Sequence, residues 1–189
     1  MSTRSAAPRL TYEDYRTIPD DGKRHEIIDG EEYMSPSPTT PHQRIVQRLH
    51  LSLAPYVNER SAGEVFVAPC DVILTDHDVV QPDVFFVAAE RGDIVKERGI
   101  EGAPDLVVEV VSEGNRRHDE VRKRQLYARH GVAEYWVVDP ALETVKVYRR
   151  PADGYERVEE CTAEADDLLT TPHLPNWSLP LPTLFRNRP

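Results

Sequence analysis

Two short apolar runs, each entered through a proline and each carrying a carboxylate, constrain this chain most. The first reads Gln81-Pro82-Asp83-Val84-Phe85-Phe86-Val87, the second Pro104-Asp105-Leu106-Val107-Val108-Glu109-Val110-Val111. β-Branched and aromatic residues dominate both, which predicts strands buried on two faces. Along the second, Leu106, Val108 and Val110 point to one face of the sheet, and Asp105, Val107, Glu109 and Val111 to the other. Glu109 therefore sits among apolar neighbours, where an ionised carboxylate is costly unless a cation or hydrogen-bond donors compensate it. Asp83 poses the same problem in the first run. A basic run follows, holding Arg116, Arg117, Arg122, Lys123 and Arg124. Two buried carboxylates with a lysine are what a metal-dependent phosphodiester hydrolase requires. If the two acids repel each other, replacing either by its amide should leave the fold intact.

The remaining elements follow from local pattern. Met1 to Arg9 read as a flexible lead-in, and residues 10–189 as a single domain with a proline-rich tail. Thr11-Tyr12-Glu13-Asp14 has the form of a capping box and predicts a short helix to about Ile18. Asp29-Gly30 predicts a hairpin with strands on either side. Ser35 to Pro41 is a loop, and Ile45, Val46, Leu49 and Leu53 form the buried stripe of a helix from about His42 to Asn58, kinked or stopped near Pro55. Val65-Phe66-Val67 and Val72-Ile73-Leu74 read as strand broken near Pro69. Glu90 to Gly102 reads as a loop with at most one helical turn. Ser112 to Asn115 is a loop before a helix over about Arg116 to His130, stopped by Gly131. Strands follow at Tyr135–Asp139, at Thr144–Tyr148, which pairs with it, and at an edge near Tyr155–Val158. In the tail, Leu168, Leu169, Leu174, Trp177, Leu179 and Leu181 are available for packing. Strands interleaved with helices, and hairpins early and late, predict an α/β fold: a mixed β-sheet flanked by helices.

Charge limits the partners. The formal net charge is -10 with a pI near 5.2, which argues against a non-specific nucleic-acid coat but not against a local basic patch. No apolar run is long enough to span a bilayer, and no signal-peptide segment opens the chain. Cys70 and Cys161 lack metal-ligand spacing and read as free thiols, as expected for a cytoplasmic protein.

At about 100 degrees per residue, Lys123 projects between the directions of Leu126 and Tyr127, at the edge of its helix's packed face, near the line of Asp119 and His130. Arg122 and Arg129 point towards solvent or a polyanion. A lysine so held could reach back to the carboxylates.

This ordered series resembles the Uma-type restriction-endonuclease family of the PD-(D/E)xK nuclease superfamily. The matching pieces are His25-Glu26-Ile27-Ile28-Asp29-Gly30-Glu31, Met34-Ser35-Pro36, His42, Val80-Gln81-Pro82-Asp83-Val84, Glu101 to Val110, Lys123-Arg124-Gln125-Leu126-Tyr127 and Gly131 to Pro140. The resemblance implies a restriction-endonuclease-like core and metal-dependent hydrolysis of nucleic acid, with DNA preferred and a homodimer needed to cut both strands. Asp83 matches the acid of the PD motif and Glu109 that of (D/E)xK. Val111 stands where the superfamily motif has lysine, and Lys123 on the next helix takes that role. Glu26 matches an additional early acid.

Asp83, Glu109 and the backbone carbonyl of Val110 are then the expected ligands of Mg²⁺ or Mn²⁺. Lys123 would orient or deprotonate the attacking water, or neutralise the transition state. Glu26 would bind a second metal or orient Lys123. Gln81 and Tyr127 are supporting groups, and His42 and Arg122 are candidate substrate contacts. Each has a bland alternative. Lys123 also reads as part of a solvated helix face, Glu26 as a partner of His25 or Arg24, and His42 as a helix start. Asp71 and Asp105 read as structural. Two other functions stay open: an inactive nucleic-acid-binding or structural module, and a phosphohydrolase acting on short nucleotides. A basic track leading to Asp83 would favour a polymer, and a closed pocket a small ligand.

Overall fold

The computed structural model describes residues 9–112, 118–150 and 155–186. The predicted lead-in up to residue 8, most of the Ser112–Asn115 loop and the basic pair Arg116-Arg117 lie outside the described residues. Thr11 and Asp14 close the capping box on α1 (Tyr12–Tyr15). Asp29 (φ 57°) and Gly30 (φ 78°) make the left-handed turn joining β1 (Arg24–Ile28) to β2 (Glu31–Ser35). Thr39 caps α2 (Thr40–Arg60), and Pro41 fits the first turn, where its missing N–H costs nothing. α2 does not stop at Pro55 but runs through it to Arg60. Its far end stays anchored because Leu53 and Val57, on either side of the proline, are fully buried.

After α2 come β3 (Gly63–Val67), β4 (Val72–Thr75), β5 (Asp78–Val80) and β6 (Val84–Ala88). β3 and β4 are not one broken strand. They belong to different sheets, because the chain crosses between layers around Pro69. The polar stretch expected as loop forms a 3-10 turn (Ala89–Ile94) and a small hairpin, β7 (Val95–Lys96) and β8 (Gly99–Glu101). Gly99, at φ 149°, packs so close to the Asp71 carbonyl that a Cβ would lie 2.6 Å from it. β9 (Leu106–Val110) leads through a π-helical turn (His118–Lys123) into α3 (Arg124–His130), ended by Gly131 at φ 86°. β10 (Glu134–Asp139), β11 (Thr144–Arg149) and β12 (Glu156–Thr162) follow as expected. The tail adds β13 (Leu168–Leu169), β14 (Leu179–Pro180) and α4 (Leu181–Phe185).

The principal sheet has the order β12-β11-β10-β9-β6-β3, and the second sheet β2-β1-β5-β4-β8-β7. In the principal sheet only β9 and β10 run parallel, the pair that flanks α3 in the chain. One face of this sheet buries Leu106, Val108 and Val110 against Ile45, Leu49 and Leu53 of α2 and the tail residues Leu174, Trp177 and Leu181. Leu168 stays 52% exposed and does not join them. The other face buries Val107 and Val111 with Leu126 and Tyr127 of α3 and with Ile28, Val72 and Val80 of the second sheet. Alternation along β9 therefore sends Glu109 into this second layer. The result is a mixed α/β fold with a restriction-endonuclease-like core. Among the described residues no helix is long and apolar enough to cross a membrane. Cys70 and Cys161 are both free thiols.

Candidate active site

Strand pairing brings the two motif acids together. β6 and β9 are antiparallel neighbours with Val84 opposite Val108, so one step beyond that register sets Asp83 opposite Glu109. Both are buried, at 2% and 1% exposure. Both line a cleft of about 480 Å³ together with Arg24, His42, Gln81 and Val110.

Asp83 is thoroughly compensated. Arg24 donates to Oδ1 at 2.8 Å, His42 Nε2 lies 3.0 Å from Oδ2, and the N–H of Val110 donates to Oδ2 at 2.8 Å. Burial opposes the charge of Asp83, but His42, Arg24 and the Val110 amide outweigh it and hold the carboxyl well below the usual carboxylate range. Arg24 is fixed further by the Gln81 carbonyl at 3.0 Å. Burial disfavours the guanidinium charge too, yet Asp83, Glu26 and Glu109 together raise its pKa. Sequence reasoning missed Arg24 as a site residue. The signal was present: strand alternation places Arg24 and Glu26 on the same face.

Glu109 is held from behind. Its Oε1 accepts from Lys123 Nζ at 2.9 Å and from the Tyr127 hydroxyl at 2.7 Å. Lys123 Nζ also donates to Glu26 Oε1 at 2.8 Å, and the backbone N–H of Gln81 donates to that same oxygen at 2.9 Å. One ammonium thus joins β9, the start of α3 and β1. Burial pushes Glu109 up, Asp83 and Glu26 push it further, and Lys123 and Arg24 do not fully offset them. Glu26 moves the other way: burial raises it, but Lys123 and Arg24 prevail and lower it. Burial and the Glu109 charge hold the Tyr127 hydroxyl far above its ordinary value.

Lys123 is deeper than helical spacing predicts, with 1% exposure, and it does not line the cleft. Its backbone is α-helical (φ -64°, ψ -38°), so it stands three and four residues before the buried Leu126 and Tyr127 and shares their inward face. It meets Glu109 and Glu26, while Arg24 and His42 meet Asp83. Arg122 lies over the Tyr33 ring with Glu31 at 3.6 Å. Arg129 is exposed, as expected, but its charge is already met by two carboxylates. Asp29 and Asp78 bind it at 2.7 and 2.8 Å, because the β1–β2 turn packs against α3. Asp71 accepts from Tyr15 and the Gln81 side chain, and Asp105 from Arg91 and the Ala88 amide, both structural arrangements.

The donor set fits a hard divalent cation. Asp83 and Glu109 supply carboxylate oxygens. The N–H and C=O of one strand residue point to the same side, so the Val110 carbonyl faces the Asp83 side as its amide does. Among the described residues no three His, Cys, Asp or Glu side chains converge on one metal position. A site of two carboxylates and a carbonyl would keep several waters, as Mg²⁺ does. His42 Nδ1 is buried beside the cleft without a hydrogen-bond partner among the described residues.

A crystal structure from Anabaena variabilis ATCC 29413, described as "a putative nuclease belonging to DUF820", is similar in fold. Its TM-score is 0.78 at 23% identity, over 93% of this chain and 97% of that one. No curated protein matches. The family profile described as "Uma2: Putative restriction endonuclease" matches residues 12–182, nearly the whole chain, and the chain belongs to that family.

Proposed function

We propose that this protein is a metal-dependent endonuclease hydrolysing phosphodiester bonds in DNA, acting as a homodimer. The observation carrying this reading is the arrangement at the cleft floor: Asp83 beside Glu109, with Glu109 braced by a buried lysine shared with Glu26. A purely structural core has no reason to keep this many charges at a cleft. Asp83, Glu109 and the Val110 carbonyl would hold Mg²⁺ or Mn²⁺. Such an ion supplies a water of lowered pKa and offsets charge on the phosphate oxygens. Arg24 must loosen its hold on Asp83 Oδ1 for that oxygen to serve, and a guanidinium released at the cleft is well shaped to receive a phosphate. Lys123 acts from behind as a positioning residue: it opposes the burial that pushes Glu109 up and fixes its orientation. Glu26 and Tyr127 hold Lys123 and Glu109 in that arrangement, and Gln81 holds Glu26. His42 fixes Asp83 and stands at the cleft wall.

The test is conversion of supercoiled plasmid to nicked and linear forms with Mg²⁺ or Mn²⁺, beside single-stranded DNA and RNA, with a chelator control and Glu109→Gln. Metal-dependent cleavage that Glu109→Gln abolishes is the expected result. No cleavage of any of these substrates with either metal would leave the inactive-module reading in its place.

A further inference from the structure

The chain has no Asp or Glu between Glu32 and Glu59 and none after Asp167, despite its acidic total. The fold packs these two acid-free stretches together. The Tyr56 hydroxyl donates to the Pro175 carbonyl, Trp177 Nε1 to that of Ser52 at 3.1 Å, and Arg48 to that of Leu184 at 2.7 Å. Where α2 meets α4 lies a second groove of about 450 Å³, lined by Arg44, Gln47, Arg48, Leu51, Thr183 and Arg186. Arg44 and Arg186 are exposed, and Arg48 is half-buried with one nitrogen fixed on α4. Among the described residues no carboxylate pairs with any of the three guanidinium groups.

The groove and the cleft share a helix. His42, Gln43 and Val46 of α2 line the cleft, and Arg44, Gln47, Arg48 and Leu51 of the same helix line the groove. Arg48 lies about 9 Å beyond His42 along the axis and about 240 degrees around it, and the two openings adjoin where Gln43 of the cleft and Gln47 of the groove stand one turn apart, so a chain leaving the cleft reaches the groove by following the helix surface. Guanidinium groups match phosphate oxygens in planar, two-point fashion, and Gln47 and Thr183 add neutral donors.

We propose that this groove is a second phosphate-binding site, holding the backbone of the nucleic-acid strand whose scissile phosphate lies in the cleft. It rests on the nuclease reading, and it makes a polymer, rather than a short nucleotide, the substrate class. The net charge of -10 hides this face because the acids lie elsewhere in the chain.

The test compares the full-length protein with the double variant Arg44→Gln/Arg186→Gln. Arg48 is kept, since it also holds α4. Binding of a labelled DNA duplex is followed in chelator by fluorescence anisotropy across a salt series. Each lost phosphate contact lowers the slope of log K against log salt by about 0.9, so the variant's slope falls by about 1.8. Relative to 1 M salt, two lost contacts weaken binding at 0.1 M by about 60-fold. Metal-dependent hydrolysis of bis(p-nitrophenyl) phosphate, a diester small enough for the cleft alone, should stay unchanged. An unaltered slope and affinity would overturn the proposal. So would a shift from dimer to monomer in sedimentation with the slope intact, which would make the groove a seat for a second copy. Weakened DNA binding without hydrolysis by any metal-loaded form would uphold the groove and reject the nuclease reading. Plasmid cleavage with a normal slope would do the reverse.

Discussion

Replacing Lys123 by methionine tests the centre of the site most directly. Methionine fills similar volume without charge, so the change isolates the ammonium. In the native protein Nζ lies 2.8 Å from Glu26 and 2.9 Å from Glu109, and both carboxylates are at most 1% exposed. Removing one partner of a buried pair costs about 3–5 kcal/mol. Two acids share this cation, so the upper part of that range applies at alkaline pH. For a chain of this size each kcal/mol moves Tm by about 2–4 °C, so a cost of about 4–5 kcal/mol gives a fall of about 8–20 °C. The pH dependence carries the signature. Glu26 is lowered in the native fold, so its contribution is present above its unfolded pKa of about 4.3 and is lost as pH falls. Without the ammonium, burial raises both acids instead. A raised acid stabilises at low pH and loses that contribution as pH rises. The Tm gap between native protein and Lys123→Met should therefore be widest near pH 8 and narrow towards pH 5, in melts followed by circular dichroism. Adding Glu26→Gln should recover part of the loss. A gap worth less than about 1 kcal/mol at pH 8, or one indifferent to pH, would refute the reasoning.

Asp83→Asn should not be harmless, as mutual repulsion between the two acids would have it. The amide loses charge-assisted bonds to Arg24 and His42, at roughly 1.5–3 kcal/mol. Because the Asp83 pKa is lowered in the fold, its contribution is present above an unfolded pKa of about 3.9 and fades as pH falls, so variant and native melts should converge in acid. Tyr127→Phe removes one donor from Glu109 Oε1 and should move the acid limb of the pH–rate profile to higher pH, at about 1–2 kcal/mol of stability. An unmoved limb would show that the hydroxyl does not govern Glu109. Mg²⁺ at about 100 times its Kd should stabilise the native protein by about 2.7 kcal/mol, a rise in Tm of about 5–11 °C. Glu109→Gln should abolish that rise, and an equal rise in the variant would remove Glu109 from the metal site.

Much of the layout was legible because it rests on short-range pattern. The Asp29-Gly30 turn, the alternation that buries Glu109 and the Gly131 stop are local features, and each stands where periodicity puts it. What failed was mostly long-range. Val65–Val67 and Val72–Leu74 look alike in sequence, and nothing local says that they join different sheets. The β7–β8 hairpin is too short and polar to show a period. Lys123 is deeper than expected because Glu26 and Glu109, on two different sheets, receive its ammonium beneath Leu126 and Tyr127. The compensation of Asp83 comes from Arg24 and His42, 59 and 41 residues away in sequence. Sequence can show that a buried acid needs a counterion, but only tertiary structure identifies it.

Burial of an acid does not by itself mark a site in this fold. Glu134, on the strand next to Glu109, is also fully buried, with donors from Trp136 at 2.7 Å, Thr171 at 2.9 Å and Arg149 at 3.3 Å. It has no place in the cleft, and its donors knit β10 to β11 and the tail. Glu109 differs in three respects: it reaches the cleft, it faces another acid across a strand pair, and it shares its cation with a third carboxylate. A stabilising ion pair needs one cation for each acid. Burial, with the charges of Asp83 and Glu26 nearby, leaves Glu109 raised despite the shared lysine and Arg24, a condition that a divalent ion at the Asp83 side would relieve. The place of Lys123 just before α3 makes this sharing possible. A side chain at Val111 projects from β9 itself, whereas Lys123 enters from the helix layer, where it can reach Glu26 on the second sheet and Glu109 on the first.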